Sequence, residues 1–207
     1  NLLILCMKKI IAFFFLIFHY TNSYSENIKS CNFYTEKYGK VFNLPNNLLT
    51  SISLVESGIK KEKSDFSSWP WTLNVSGKSI YFDKKEDVLN YLEKNADKKS
   101  IDVGCMQINT KYHLNNFENV SQMIEPEQNV KYAASFLYKL FKRHKSWNEA
   151  ISRYHSSIPY RQKIYLKKVY SFWNNLRQKK IIIKTNYFEK NKQKVKFFKE
   201  ILEKEKI

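Results

Sequence analysis

Leu48, Leu49, Ile52 and Val55 recur at helical spacing and lead into Glu56, two residues before Gly58. That spacing predicts an amphipathic helix with one face in a core, stopped by the glycine. A helix of this kind is stable only when other elements cover its apolar face. It also carries a carboxyl group at the end of that face. A carboxyl there is placed to have its pKa raised by apolar surroundings and to act as a general acid. The ordinary reading is a solvated glutamate at a helix end. On these residues alone both readings stand.

The rest of the pattern supplies covering elements. A short helix is expected over 27–38, stopped by Gly39, and Pro45 suits the entry to the Glu56 helix. Residues 60–68 read as polar loop. The β-prone runs 71–75 and 78–82 flank Ser76-Gly77, a two-residue turn signal that predicts a hairpin. A surface helix follows over 84–95, turning Val88, Leu89 and Leu92 inward. A long helix is expected over 126–144, with Pro126 at its start and Val130, Ala133, Ala134, Leu137, Leu140 and Phe141 as its buried stripe. Two more helices cover 147–154 and 159–176. The fold class is therefore mainly α with one small β-hairpin. With 207 residues, 43% of them hydrophobic, the chain can bury one core and carry an appendage.

Three segments follow from composition. Residues 1–25 read as a secretory signal: Lys8 and Lys9, an apolar run over 10–18, then Ser23-Tyr24-Ser25 as a small-x-small cleavage site. Residues 1–6, ahead of Met7, then read as lying upstream of the translated start. The apolar run is too short to span a bilayer, so a cleaved leader is expected rather than an anchor. Residues 27–176 form the expected domain, and 177–207 a basic amphipathic tail with eleven Lys or Arg against four Glu. Such a tail suits peripheral contact with an anionic membrane, docking on a partner, or packing of its apolar stripe (Val195, Phe197, Phe198, Ile201, Leu202) on its own domain. After cleavage only Cys31 and Cys105 remain. An oxidising compartment would let them pair as a disulfide; two buried free thiols are the alternative.

The formal charge of +17 favours polyanionic partners. No Gly-rich phosphate loop, zinc-ligand spacing or RNA-binding motif accompanies it, so neither a metal nor a cofactor is expected and nucleic acid is disfavoured. A nucleic-acid binder would show strongly salt-dependent retention on DNA.

Four motifs follow one another in order: Glu56-Ser57-Gly58, Gly104-Cys105-Met106-Gln107-Ile108-Asn109, Tyr154, and Tyr165-Leu166-Lys167-Lys168-Val169. Together they resemble the lysozyme-like catalytic domain of the soluble lytic transglycosylases, glycoside hydrolase family 23. The family hallmarks are a Glu-Ser pair, a Gly-Leu-Met-Gln segment, an Ala-Tyr-Asn-Ala-Gly segment and a later Tyr-x-x-x-Val. The likeness spans about 31–173, and the Gly-Cys-Met-Gln-Ile-Asn variant with the inserted 69–82 segment resembles one bacterial branch. The resemblance implies a lysozyme-like helical domain that cleaves the β-1,4 bond between N-acetylmuramic acid and N-acetylglucosamine in peptidoglycan. Glu56 would be both acid and base, and a 1,6-anhydro sugar would form without water. It further implies a protein exported to the periplasm of a Gram-negative-type bacterium. Peptidoglycan strands would be its substrate, with an envelope-spanning secretion or motility apparatus as a potential partner.

The resemblance also carries roles for single residues. Met106 and Gln107 match the cleft-lining pair, with a core Met and a surface Gln as the plainer alternative; Asn109 closes that motif, and Tyr154 matches a cleft tyrosine. Tyr165 matches the tyrosine that bonds near the catalytic glutamate, and Ser57 would orient the Glu56 helix end beside the substrate. There are departures. Cys105 stands for the usual Leu, and His155-Ser156-Ser157 stand for Asn-Ala-Gly, leaving His155 as a cleft hydrogen-bonder or as an imidazole packed on Tyr154. Trp69 and Trp71 in the inserted segment would stack on sugars or cap the core. A hydrolytic muramidase using a second carboxylate (Asp65, Asp83 or Asp102) is one alternative, and an inactive peptidoglycan-binding accessory protein another.

Overall fold

The computed structural model describes residues 30–60, 66–98 and 100–204, with side chains omitted at 180–183 and 197–204. The expected leader, Asp65 and most of the tail's apolar stripe therefore lie outside the described residues or side chains.

The architecture is mainly helical. Helix α1 (Cys31–Val41) starts on Ser30, whose side chain accepts from the Phe33 N–H, and buries Cys31, Thr35 and Tyr38 along one stripe. It runs through Gly39, the residue expected to stop it. A Cβ there would meet nothing within 4 Å, and the chain turns only at Phe42. Helix α2 (Leu48–Ser57) is the centre of the domain. Its expected single apolar face is only part of what is covered, since Thr50, Ser51, Ser53 and Ser57 are buried on its other sides. Those hydroxyls are satisfied. Thr50 bonds Thr35 at 2.8 Å, Ser51 donates to the Asn47 carbonyl at 2.7 Å, and Ser53 donates to the Cys105 carbonyl at 3.0 Å. Small side chains with local acceptors let one helix be enclosed all round without stranded polar groups.

The sheet is larger than a hairpin. After the short antiparallel pair β1 (Gly58–Ile59) and β2 (Ser67–Ser68) come β3 (Thr72–Val75), β4 (Lys78–Tyr81), β5 (Ile101–Val103) and β6 (Ile108–Asn109). The last four form one antiparallel sheet in the order β4-β3-β5-β6. Ser76 and Gly77, at φ +52° and +84°, make the two-residue turn between β3 and β4, and the Asn74 side chain caps it by accepting from the Gly77 N–H. Pairing Leu73 with Val103 joins the hairpin to the Gly104-to-Asn109 motif, so the inserted segment is continuous with the motif strands. Trp71 is 5% exposed in the core, and the indole N–H of Trp69 donates to the Phe82 carbonyl at 2.6 Å. Both rings serve the packing of the sheet.

Helix α3 (Lys85–Lys94) buries Val88 and Leu92. Helix α4 (Thr110–His113), a 3-10 turn (Leu114–Asn116) and α5 (Val120–Ile124) lead to α6 (Pro126–His144), which buries Val130, Ala133, Ala134 and Leu137 completely. Helix α7 (Trp147–His155) is capped by Ser146. Helix α8 (Pro159–Lys204) has no break at Leu176, where a change of character is expected; it runs on for 46 residues, about 70 Å. Its first part packs on α2 and α7 through Tyr165, Val169 and Trp173, and the Trp173 indole donates to the Asn46 carbonyl at 2.7 Å. From 184 to 196 every side chain is exposed, Tyr187, Phe188 and Val195 included. Cys31 and Cys105, 74 residues apart, are joined by a disulfide that ties α1 to the loop between β5 and β6.

Candidate active site

Glu56 occupies the last turn of α2, where the helix emerges from the core, and its Oε1 accepts from the Tyr165 hydroxyl at 2.5 Å. Tyr165 reaches it from α8, 109 residues along the chain, and is itself 3% exposed. Burial pushes the Glu56 carboxyl up to about 8; the Tyr165 hydrogen bond and the Lys168 charge oppose that shift, and the Asp102 charge adds to it. Burial and the neighbouring carboxylate hold the Tyr165 phenol well above its ordinary range, so it remains a donor. At neutral pH the pair is a protonated acid beside a neutral phenol.

The floor next to Glu56 is the loop from Gly104 to Gln107. Gly104 has φ +80°, and a Cβ on it would come within 2.8 Å of the Asn129 side chain, so the position takes glycine for both reasons. Asn129 is fully buried on α6. Its Oδ1 accepts from the Met106 N–H at 2.9 Å, while its Nδ2 donates to the Val103 and Met123 carbonyls at 2.9 and 3.0 Å. Gln107 also sits in the left-handed region (φ +46°), held there by its own Nε2, which donates to the Thr72 and Gly104 carbonyls at 3.0 Å each. The Tyr154 hydroxyl donates to the Met106 carbonyl at 2.9 Å and ties α7 to the same loop.

These elements enclose a groove of about 570 Å³ that brings together six of the expected residues: Glu56, Gln107, Asn109, Tyr154, His155 and Tyr165. Two others are not on its wall. Met106 is fully buried in the hydrophobic core, so its side chain offers no surface to a sugar. Ser57 is also fully buried, donating to the Cys105 and Ser53 carbonyls at 2.8 and 3.2 Å; it ties α2 to the motif loop from behind the groove wall. Neither Trp69 nor Trp71 lines the groove, and Asp83 does not reach it.

The sheet contributes a wall not foreseen from the sequence. Ser79 pairs with Asn74, Asn74 with Asp102, and Asp102 with Asn109, giving one polar row across all four strands, every member facing the groove. Asp102 accepts from the Asn109 amide at 2.8 Å, and partial burial raises its carboxyl above the usual range while that bond opposes the shift. A two-residue turn at Ser76-Gly77 already sets Asn74 opposite Ser79, so half of this row was legible; the pairing of β3 with β5 was not. The facing wall is α8, where Arg161, Ile164, Tyr165 and Lys168 share one face. That spacing was present in the sequence, with Tyr165 as its marker. The His155 ring lies parallel to Tyr165, centroids 4.4 Å apart, and burial together with the Lys168 and Arg161 charges lowers its imidazole below the usual range. It packs on Tyr165 rather than Tyr154. Tyr112, His113 and Phe136 also line the groove.

One family model, the transglycosylase SLT domain, matches residues 33–175. The curated proteins contain no match to the chain, and the solved structures contain none. The matched span takes in every residue that lines the groove, the whole of α2, and α8 as far as residue 175. By that match the chain belongs to the transglycosylase SLT domain family.

Proposed function

We propose that this protein is an exported peptidoglycan lytic transglycosylase with Glu56 as its single general acid and base. Membership of the family supports the substrate, and one observation carries the mechanism: a carboxyl pushed up to about 8, bonded to Tyr165 at 2.5 Å, in the wall of an open groove. Protonated at neutral pH, Glu56 delivers its proton to the glycosidic oxygen as the bond to C1 of N-acetylmuramic acid breaks. The C6 hydroxyl of the same sugar then attacks C1 and returns its proton to the Glu56 carboxylate. One C–O bond breaks, another forms between C1 and O6 of the same sugar, and no water is consumed. Tyr165 stabilises the carboxylate between the two proton transfers, since a donor favours the charged form. The Gln107 amide nitrogen donates to the Thr72 carbonyl on β3 and to the Gly104 carbonyl in the loop, so its Oε1 is the atom left for the substrate. The Cys31–Cys105 disulfide supports residence in an oxidising compartment such as the periplasm.

One observation favours a second reading. Asp102 lines the same groove and its charge acts on Glu56, so it is the carboxylate that a hydrolytic muramidase would use to position water. Mass spectrometry of the fragments released from purified sacculi decides between them. Anhydro-muramic ends are expected; reducing ends would transfer the assignment to hydrolysis. Unchanged cleavage by Glu56→Gln would remove Glu56 from the mechanism altogether.

A further inference from the structure

We propose that Arg161 and Lys168 on α8 form a carboxylate-binding subsite that reads the lactyl arm of N-acetylmuramic acid and so sets the register of the strand in the groove. The proposal rests on the groove being the glycan-cleaving site. Arg161 lies four residues before Tyr165 and Lys168 three after it, which puts both cations on the face of α8 that lines the groove. Both side chains are exposed, and among the described residues neither has an ion-pair partner, whereas Lys37, Lys85 and Arg153 are paired with Glu127, Glu125 and Glu149. Their charges act inward: they help to lower the His155 imidazole, and Lys168 also acts on Glu56.

The opposite wall is different. Ser79, Asn74, Asp102 and Asn109 present hydroxyl, amide and carboxylate groups and no cation. A groove charged this way has a preferred orientation for a ligand with an anion on one side only. In a strand of alternating N-acetylglucosamine and N-acetylmuramic acid the rings are neutral. The anions sit on the lactyl arm, as its own carboxylate when the arm is bare or as carboxylates of a peptide attached there. Turning that arm toward α8 meets two unpaired cations; turning it toward the sheet brings it against Asp102. The preference chooses which sugar lies with C1 at Glu56, and therefore which of the two alternating bonds is cut. Chitin, with the same backbone and no lactyl arm, gains nothing from this wall.

The test uses Arg161→Gln, Lys168→Met and the double variant with three ligands: stem-bearing strands, strands stripped of peptide by an amidase, and a chitin oligosaccharide. Cleavage is followed at pH 6, where Glu56 is protonated in every variant. Binding is measured in parallel on a Glu56→Gln background. The double variant is expected to weaken binding of the carboxylate-bearing strands by roughly three- to tenfold, on KM more than kcat, and to leave chitin affinity unchanged. Arg161→Lys should recover part of the loss. A loss confined to stem-bearing strands would assign the carboxylate to the peptide, and a loss on stripped strands to the lactyl group. Equal loss on chitin, or no loss on any ligand, would overturn the subsite. Because binding is read on the Glu56→Gln chain, absence of cleavage by the wild type would sink the proposed reaction without deciding the subsite.

Discussion

The α8 wall takes its groove residues from two turns of one helix, Arg161 to Lys168, whereas the sheet wall draws Ser79, Asn74, Asp102 and Asn109 from four strands. Both face the same ligand, yet their dependence on the rest of the molecule differs. The helix wall needs only that α8 be docked, which Val169 and Trp173 accomplish one and two turns beyond Tyr165. The sheet wall needs long-range pairing, a loop with two left-handed residues, a buried asparagine and a disulfide, all correct at once. Substitutions on the helix wall should therefore alter chemistry and recognition, and those behind the sheet wall should first alter stability.

Glu56→Gln gives the largest expected effect, about a thousandfold loss of muropeptide release, while Asp102→Asn should lose no more than about tenfold. Equal losses would break the division between a chemical and a shaping wall and favour two carboxylates. Next come the anchors of the sheet wall. Asn129→Ala strands the Met106 N–H and two carbonyls, and should cost about 2–4 kcal/mol by denaturant midpoint. Reducing the Cys31–Cys105 bond, which closes a loop across 74 residues, should cost a similar 2–4 kcal/mol. If reduction left the midpoint unmoved, the hydrogen bonds to Asn129, Ser53, Ser57 and Tyr154 would suffice to hold the loop.

A stability effect of opposite sign is expected at Glu56 itself. Folded, it keeps its proton to about pH 8; unfolded, it ionises near 4.5. Between those values the unfolded chain binds fewer protons, so this group lowers stability as pH rises. Glu56→Gln removes the penalty. Its midpoint should exceed that of the wild type by an amount that grows from pH 4.5 to pH 8, reaching up to about 5 kcal/mol. Equal midpoints across that range would mean that the carboxyl is not held protonated.

The smallest effects are shifts of the alkaline limb of the pH–rate profile, and they separate the walls by sign. Tyr165→Phe removes a donor that favours the carboxylate, so the limb should move above 8, with roughly ten- to a hundredfold loss of rate. Asp102→Asn removes a like charge and should move the limb below 8. Shifts in the same direction would contradict the electrostatic contacts assigned to both residues.

Much of this was legible before any coordinates. Leu48, Leu49 and Ile52 marked α2 because helical spacing of apolar residues reflects a face that must be covered, and Pro126 with the 130–140 stripe marked α6 to the residue. Glu56, Gln107, Tyr154 and Tyr165 stood out through motif order. Met106 and Ser57, expected beside the substrate, are buried behind the groove; a motif records that a residue is needed without saying whether it faces ligand or core. Asn129 was missed entirely. A single asparagine within an apolar helix looks like a surface residue until the loop it satisfies is seen.

The sequence by itself determined α2, α3, α6 and α7, the two-residue turn at Ser76-Gly77 and the family, since these depend on local periodicity, turn chemistry and the order of short motifs. Tertiary structure decided what became of Glu56. Its carboxyl rises to about 8 because α2 is enclosed and because Asp102 arrives from a distant part of the chain, against the opposing hydrogen bond from Tyr165. The same is true of the sheet wall, whose four polar groups share a row only through the register of β3 on β5. Desolvation and register are properties of neighbours in space, and a linear spacing cannot carry them.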